Sequence, residues 1–302
     1  MIKQVNDYIK QYNPNAEGFA QFECAVLAGV PDTVYHALPR RFISKHDLDV
    51  YCKCPSTYDA MKSGALGDAT ETPSIVFGRA FHAAVLQPKE YEAQFAVAPQ
   101  VDRRTKAGKA EYEEFAAKNA GKTILTLDQW EEVEKMRERV LAATGNLFRD
   151  ERGRAELVLT HPWSLFDETF IRGKLDWLIL NEENKEATIV DLKTTSDASA
   201  RAFKLDAAKY AYHVQAAIYR WLVVARFGDE WRVKFRFVCV EKGGNNPVAQ
   251  YELSEEFENA GLNDFFATAR SLRDAMANGV FPDYNGGEIT TVDAPSWLFR
   301  SE

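Results

Sequence analysis

Between Ala155 and Thr195 apolar and polar residues alternate with a period of two. AELVLTHPW (155–163), TFIRGKLDWLILN (169–181) and EATIVDLKTT (186–195) each read as a strand, with NEENK (181–185) as a hairpin loop between the last two. WRVKFRFVCVEK (231–242) and VAQYEL (248–253), joined by GGNNP, have the same period. Elsewhere the period is helical. SIVFGRAFHAAVLQPKEY predicts a helix over about Ile75–Leu86 that stops before Pro88. KAEYEEFAAKNAG predicts a charged helix ending at Gly121, and a longer helix spans Leu127–Thr144. LDAAKYAYHVQAAIYRWLVVARFG predicts one strong helix ending at Gly228, and a further helix is capped by Ser254 and stopped at Gly279. Ser44 caps a helix that uses Leu48 and Tyr51 as apolar positions.

The remaining stretches are less regular. Residues 1–43 read as helical, broken by NPN at 13–15 and by Pro31 and Pro39, and residues 64–73 form a Gly/Thr-rich link. The pattern divides the chain into a helical N-terminal extension (1–70), an α/β (α+β) core with a mixed sheet flanked by helices (71–253), and a C-terminal helix and tail (254–302). The central order is helix, three strands, helix, strand.

Composition bounds the class. With 302 residues, 46% hydrophobic and 27% charged, the chain can bury a core as one large domain or a domain with an appendage. No apolar run approaches the ~20 residues that span a bilayer. MIKQVNDYIKQYNPN has no apolar signal core, so a cytoplasmic protein with no membrane partner is expected. The four cysteines, Cys24, Cys52, Cys54 and Cys239, make no CxxC pair and read as reduced thiols. There is no GxxxxGK[ST] loop and hence no ATP-driven motor. A net charge of −8 argues mildly against nucleic acid, but a basic groove can sit on an acidic body.

The third strand, IVDLKTT, carries charge where apolar residues belong. Asp191 and Lys193 are two apart and project from one face, and hairpin pairing brings Asp176 near Asp191. Adjacent carboxylates repel and call for a cation, and oxygen donors favour a hard one, Mg²⁺ or Mn²⁺. A lysine beside such a metal orients or deprotonates a water for phosphodiester hydrolysis. The same residues also suit an exposed hairpin with a surface Asp–Lys pair. Glu156 is a third carboxylate or a solvated strand start. His82 is a ligand or a core histidine, and Gln215 and Tyr219 share one helix face at i and i+4. Arg103, Arg104, Lys106 and Lys109 stand against one acid, Asp102. They read as a phosphate clamp that ignores base sequence, or as a solvated loop.

Taken in order, FGRAFHAAVLQPKEYEAQFAVAP, VDRRTKAGKAEYEEF, RGKLDW, IVDLKTT and QAAIY resemble the PD-(D/E)xK nuclease superfamily. Within it they resemble the exonuclease VIII (RecE-type) phage recombination exonucleases, over roughly Ser44–Lys242. The resemblance implies a restriction-endonuclease-like core. It implies His82, Glu156, Asp176, Asp191 and the Leu192 backbone carbonyl as metal ligands, Lys193 as the catalytic lysine, and Gln215 and Tyr219 as holders of the substrate backbone. It further implies Mg²⁺- or Mn²⁺-dependent, ATP-independent digestion of linear double-stranded DNA from 5′ ends. The 3′ overhangs would pass to a single-strand annealing (RecT-type) protein, and the enzyme would be a toroidal homotetramer. The opening "PD" is here Leu175–Asp176, which removes no ligand.

Two other readings compete. The neighbouring Cas4- and helicase-associated nucleases share His, Asp, D-x-K and Q-x-x-x-Y but hold an iron–sulfur cluster through cysteines, and only Cys239 follows the motif here, so no cluster is expected. A catalytically inactive DNA-binding relative would tend to have lost one of Asp176, Asp191 and Lys193, all of which are present.

Overall fold

The computed structural model describes residues 8–67, 71–163, 168–295 and 298. In chain order the elements are β1 (Ile9–Gln11), β2 (Val26–Ala28), α1 (Asp32–His36), β3 (Phe42–Ile43), α2 (Lys45–Lys53), α3 (Pro55–Lys62), α4 (Pro73–Leu86), α5 (Pro88–Gln94), β4 (Phe95–Val97), α6 (Lys106–Lys118), β5 (Thr123–Leu125) and α7 (Leu127–Thr144). They continue with β6 (Gly153–Pro162), β7 (Phe170–Asn181), β8 (Glu186–Thr195), α8 (Ala200–Lys209), α9 (Tyr212–Phe227), β9 (Arg232–Glu241), β10 (Val248–Tyr251) and α10 (Glu255–Asn278). The described parts of Met1–Lys45 and Thr70–Phe265 form one compact unit, and those of His46–Ala69 and Phe266–Glu302 a second.

The first unit is built on a mixed sheet in the order β1-β2-β6-β7-β8-β9-β10, with β3 pairing β7. The β6–β7–β8 meander is antiparallel, while β8 and β9 run parallel with α8 and α9 as their crossover. Parallel pairing needs a crossover long enough to return the chain, and both faces of such a strand end up covered. Accordingly β8 is buried without interruption from Ile189 to Leu192. One face of the sheet packs through Val190, Leu192, Val238 and Val240 on Phe81, Val85, Met136 and Val140 of α4 and α7. α9 lies along β6 and β7. Thr72 caps α4 by accepting the Ile75 N–H, and Thr126 with Gln129 closes a capping box on α7.

Two expectations need correction. Residues 9–11, 26–28 and 42–43 are strands of the main sheet rather than parts of a helical extension, and among the described residues before α2 only the five of α1 are α-helical. Their apolar residues, Phe22, Leu27, Val30 and Phe42, pack with Val158 and Phe170 of β6 and β7, so tertiary burial decides a stretch whose local pattern is weak. Residues 1–7 of that stretch, and 68–70 of the Gly/Thr-rich link, lie outside the described residues. The helix expected as one piece up to Gly228 is two, α8 and α9. Ala211 sits between them in the left-handed region (φ 51°), which ends one helix and starts the next.

In the second unit α2 and α3 are tied to the C-terminal segment. Tyr51 Oη and Ser271 Oγ are 2.9 Å apart, and Ser56 Oγ donates to Asp283 Oδ1 at 2.5 Å. Lys62 neutralises the buried Asp47 at 2.7 Å. No helix among the described residues is long and apolar enough to cross a membrane.

Candidate active site

Three adjacent strands bring three acids into one row. Ala155 pairs with Trp177 and Leu157 with Leu175, which sets Glu156 opposite Asp176. The β7–β8 ladder ends at Trp177–Val190, which sets Asp176 opposite Asp191 one step beyond. Residues opposite one another in an antiparallel pair share a face. The row also interrupts the sheet. Glu156 is held at φ 52°, in the left-handed region that is unfavourable for any residue with a Cβ, a conformation that persists only where the surroundings impose it. Asp176 Oδ2 accepts the Leu192 N–H at 2.8 Å, so a carboxylate takes a bond that a strand partner would otherwise supply.

α4 closes the row from one side. His82 Nδ1 stands 3.6 Å from Asp176 Oδ2. One ligand atom each from His82, Glu156 and Asp176 lies within 4.8 Å of the others. The three line a cleft of about 800 Å³ together with Asp32, His36, Arg79 and Lys174. Lys174, two residues before Asp176 on β7, lies 2.8 Å from Glu156 and also pairs with Asp32.

The other half of the site is a largely buried ion pair tied together by one glutamine. Asp191 is only 1% exposed. Lys193 Nζ lies 2.6 Å from its Oδ2, and Gln215 Nε2 donates to its Oδ1 at 2.6 Å. Lys193 also donates to Gln215 Oε1 at 3.1 Å and rests 4.8 Å from the Tyr212 ring centre. Because α9 starts afresh after Ala211, Gln215 lies in its first turn and faces both charges. Tyr219, one turn further, is buried against Gly173, where an added Cβ would come within 2.8 Å of its ring.

Burial pushes Asp176 up to about 7. The nearby Asp191 and Glu156 act in the same direction, and His82 and Lys193 oppose them. Burial pulls Lys193 down, but Asp191 and Asp176 outweigh it and leave the amine above its ordinary value. Lys174 behaves alike between Glu156 and Asp32, and Lys174 in turn holds Asp32 below the usual range against the effect of burial. Burial raises the Tyr219 hydroxyl well above its usual range.

Four carboxylates, Asp32, Glu156, Asp176 and Asp191, thus share two ammonium groups, Lys174 and Lys193. With all four ionised the surplus is two negative charges, the complement of one divalent cation; without one, the raised Asp176 relieves it by holding a proton. One imidazole and two carboxylates fit such an ion and leave positions for water and phosphate oxygens.

The structure brings His82, Glu156 and Asp176 together, and places Asp191, Lys193, Gln215 and Tyr219 beside them. Asp191 is held by Lys193 and Gln215 and stands outside the group of three. The basic block is not part of the cleft lining. Its Thr105 caps α6 by accepting the Gly108 N–H, and a Cβ at Gly108 would meet the Asp102 carbonyl at 2.2 Å, so the threonine and glycine serve the helix start. Arg103 lies 4.0 Å from the Tyr112 ring centre, and all four basic residues are exposed. Sequence reasoning missed Lys174 and Asp32. The two-residue spacing of Lys174 from Asp176 was available as a signal; nothing local marks Asp32.

A family model described as a PDDEXK-like domain of unknown function (DUF3799) matches residues 45–294. No curated protein matches the chain. Among solved structures, one described as a putative exonuclease from Eubacterium rectale superposes with a TM-score of 0.56 at 9% identity, covering 89% of this chain and 97% of that one.

Proposed function

From the family to which the chain belongs, the PDDEXK-like domains of DUF3799, we propose that it is a divalent-metal-dependent exodeoxyribonuclease of the RecE type. The observation that carries this is one cleft in which His82, Glu156 and Asp176 converge beside the Asp191–Lys193–Gln215 group. The E. rectale neighbour, described as a putative exonuclease, supports the exonucleolytic mode. The substrate is linear double-stranded DNA, digested 5′→3′ without ATP to leave 3′ overhangs for a single-strand annealing protein of the RecT type. The active form is a toroidal homotetramer, in which a basic lining offsets a chain at −8. The protein acts in the cytoplasm of a bacterial or phage-infected cell.

His82, Glu156 and Asp176 would hold the ion, with Asp191 and the Leu192 carbonyl completing the set. When bound, Mg²⁺ or Mn²⁺ supplies an activated water and neutralises charge on the scissile phosphate. Lys193 positions that water and stabilises the negative charge that builds on the phosphoryl oxygens. Gln215 fixes the amine and Asp191 relative to each other. Tyr219 backs the strand that carries Asp176. Lys174, held by Asp32, keeps Glu156 in its left-handed position on the cleft wall.

Duplexes labelled at either the 5′ or the 3′ end test the proposal. Mononucleotide release from the 5′ label first, in Mg²⁺ or Mn²⁺ and not in EDTA, is the expected result. Release from the 3′ label first, or equal rates in EDTA, contradicts it.

A further inference from the structure

α8 is the crossover helix that leads from Lys193 into α9. Its exposed positions are Ala200, Arg201, Lys204, Leu205, Ala208 and Lys209, and exposed Tyr210 follows. The three exposed charges are all basic, and Asp206, the one acid in the helix, is half-buried. Such a surface is unexpected on a chain with eight more acids than bases. Two large apolar side chains are left in water there, Leu205 at 62% and Tyr210 at 46% exposure.

The aromatic end of this helix connects directly to the catalytic lysine. Tyr210 stacks on Tyr212, with centroids 5.9 Å apart and planes at 29°. Tyr212 stacks in turn on Phe237 at 5.6 Å and 25°, and lies under Lys193. Lys209 Nζ lies 4.9 Å from the Tyr210 ring centre, and Lys45 donates to the Tyr210 carbonyl at 2.6 Å. Ala211 between the two tyrosines is left-handed (φ 51°), Tyr210 is left 46% exposed, and the Tyr212 ring centre lies 4.8 Å from the Lys193 amine. A non-glycine residue is held in that conformation only where the surroundings require it.

Exposed aromatic faces interleaved with cations form the surface that binds single-stranded nucleic acid: bases stack on rings and phosphates meet ammonium and guanidinium groups, with little regard to sequence. We propose that Tyr210 is a stacking platform for an unpaired base of a DNA strand, and that Arg201, Lys204 and Lys209 track the backbone of that strand along α8. It sits one stacking partner from Lys193, so a base on Tyr210 fixes how far a strand advances toward the site. This rests on the nuclease reading for its substrate, and it adds a second DNA-contact surface to the residue 103–109 block.

The test is fluorescence polarisation of a labelled oligothymidylate and of an abasic oligomer of equal length, in EDTA, with the full chain. Wild type binds the oligothymidylate tighter than the abasic strand. Tyr210→Ala loses roughly 5- to 150-fold in affinity for the thymidylate, the effect of one stacked base, and little for the abasic strand. Tyr210→Phe keeps wild-type behaviour, and Arg201→Gln with Lys204→Gln flattens the salt dependence for both oligomers. Equal binding of the two oligomers by wild type, or unchanged thymidylate affinity in Tyr210→Ala, overturns the proposal. Should Tyr210→Ala fail to fold, the wild-type comparison of the two strands decides alone. Base-dependent binding in a protein that does not hydrolyse DNA with Mg²⁺ or Mn²⁺ would refute the nuclease reading and leave the platform standing.

Discussion

Removing a carboxylate from the site should make the metal-free protein more stable. Asp176 is the sharpest case. Its acidity in the fold is pushed up to about 7 by burial and by Asp191 and Glu156, whereas the unfolded chain releases that proton near 3.8. Between those values the folded protein holds a proton that the unfolded chain has lost, so stability is highest near pH 4, falls as pH rises toward about 7, and is flat above. At about 1.4 kcal/mol per pH unit the full effect is roughly 4 kcal/mol. Asp176→Asn removes it and keeps an oxygen to accept the Leu192 N–H. In EDTA at pH 8 the variant should gain about 2–4 kcal/mol in urea unfolding, with the gain vanishing by pH 4. Mn²⁺ should then stabilise wild type and have little effect on the variant, since binding to the folded state is what raises stability. Equal stability of the two proteins at pH 8 in EDTA, or a gain that does not shrink toward pH 4, would refute the crowded-carboxylate account.

Lys193→Ala should cut turnover by orders of magnitude in single-turnover digestion while Mn²⁺ binding, read by titration calorimetry, persists. Gly173→Ala places a methyl group 2.8 to 2.9 Å from Tyr219 and Leu222; it should cost about 1–3 kcal/mol in urea unfolding, the usual effect of overpacking. Neutralising Arg103, Arg104 and Lys106 together should weaken DNA binding and flatten its dependence on salt, with turnover at saturating DNA changed less.

The parts of the site that lay in periodic segments were legible. The alternation over 155–195 placed Glu156, Asp176, Asp191 and Lys193 on three consecutive strands, and the ladder puts the three acids in one row. Gln215 and Tyr219 were readable as one helix face because i and i+4 lie together in any continuous helix. The break at Ala211 was not readable. Its flanks, AAKY and YHVQ, hold no glycine or proline, and the left-handed residue coincides with long-range packing of Tyr212 on Phe237 and under Lys193. The strands before residue 45 escaped for a related reason: two- and three-residue strands carry no period, and their identity comes from the edge they complete. Asp32 belongs to that same stretch, so its pairing with Lys174 became visible only in three dimensions.

The central claim is that this cleft hydrolyses DNA from an end. Wild type and Lys193→Ala would be incubated with a mixture of linear duplex and covalently closed circle of the same sequence, with Mg²⁺ or Mn²⁺ and with EDTA. The account predicts that wild type with metal consumes the linear molecule and leaves the circle intact, and that Lys193→Ala and the EDTA controls consume neither. Loss of circle and linear DNA at equal rates, or digestion by Lys193→Ala at the wild-type rate, would contradict it.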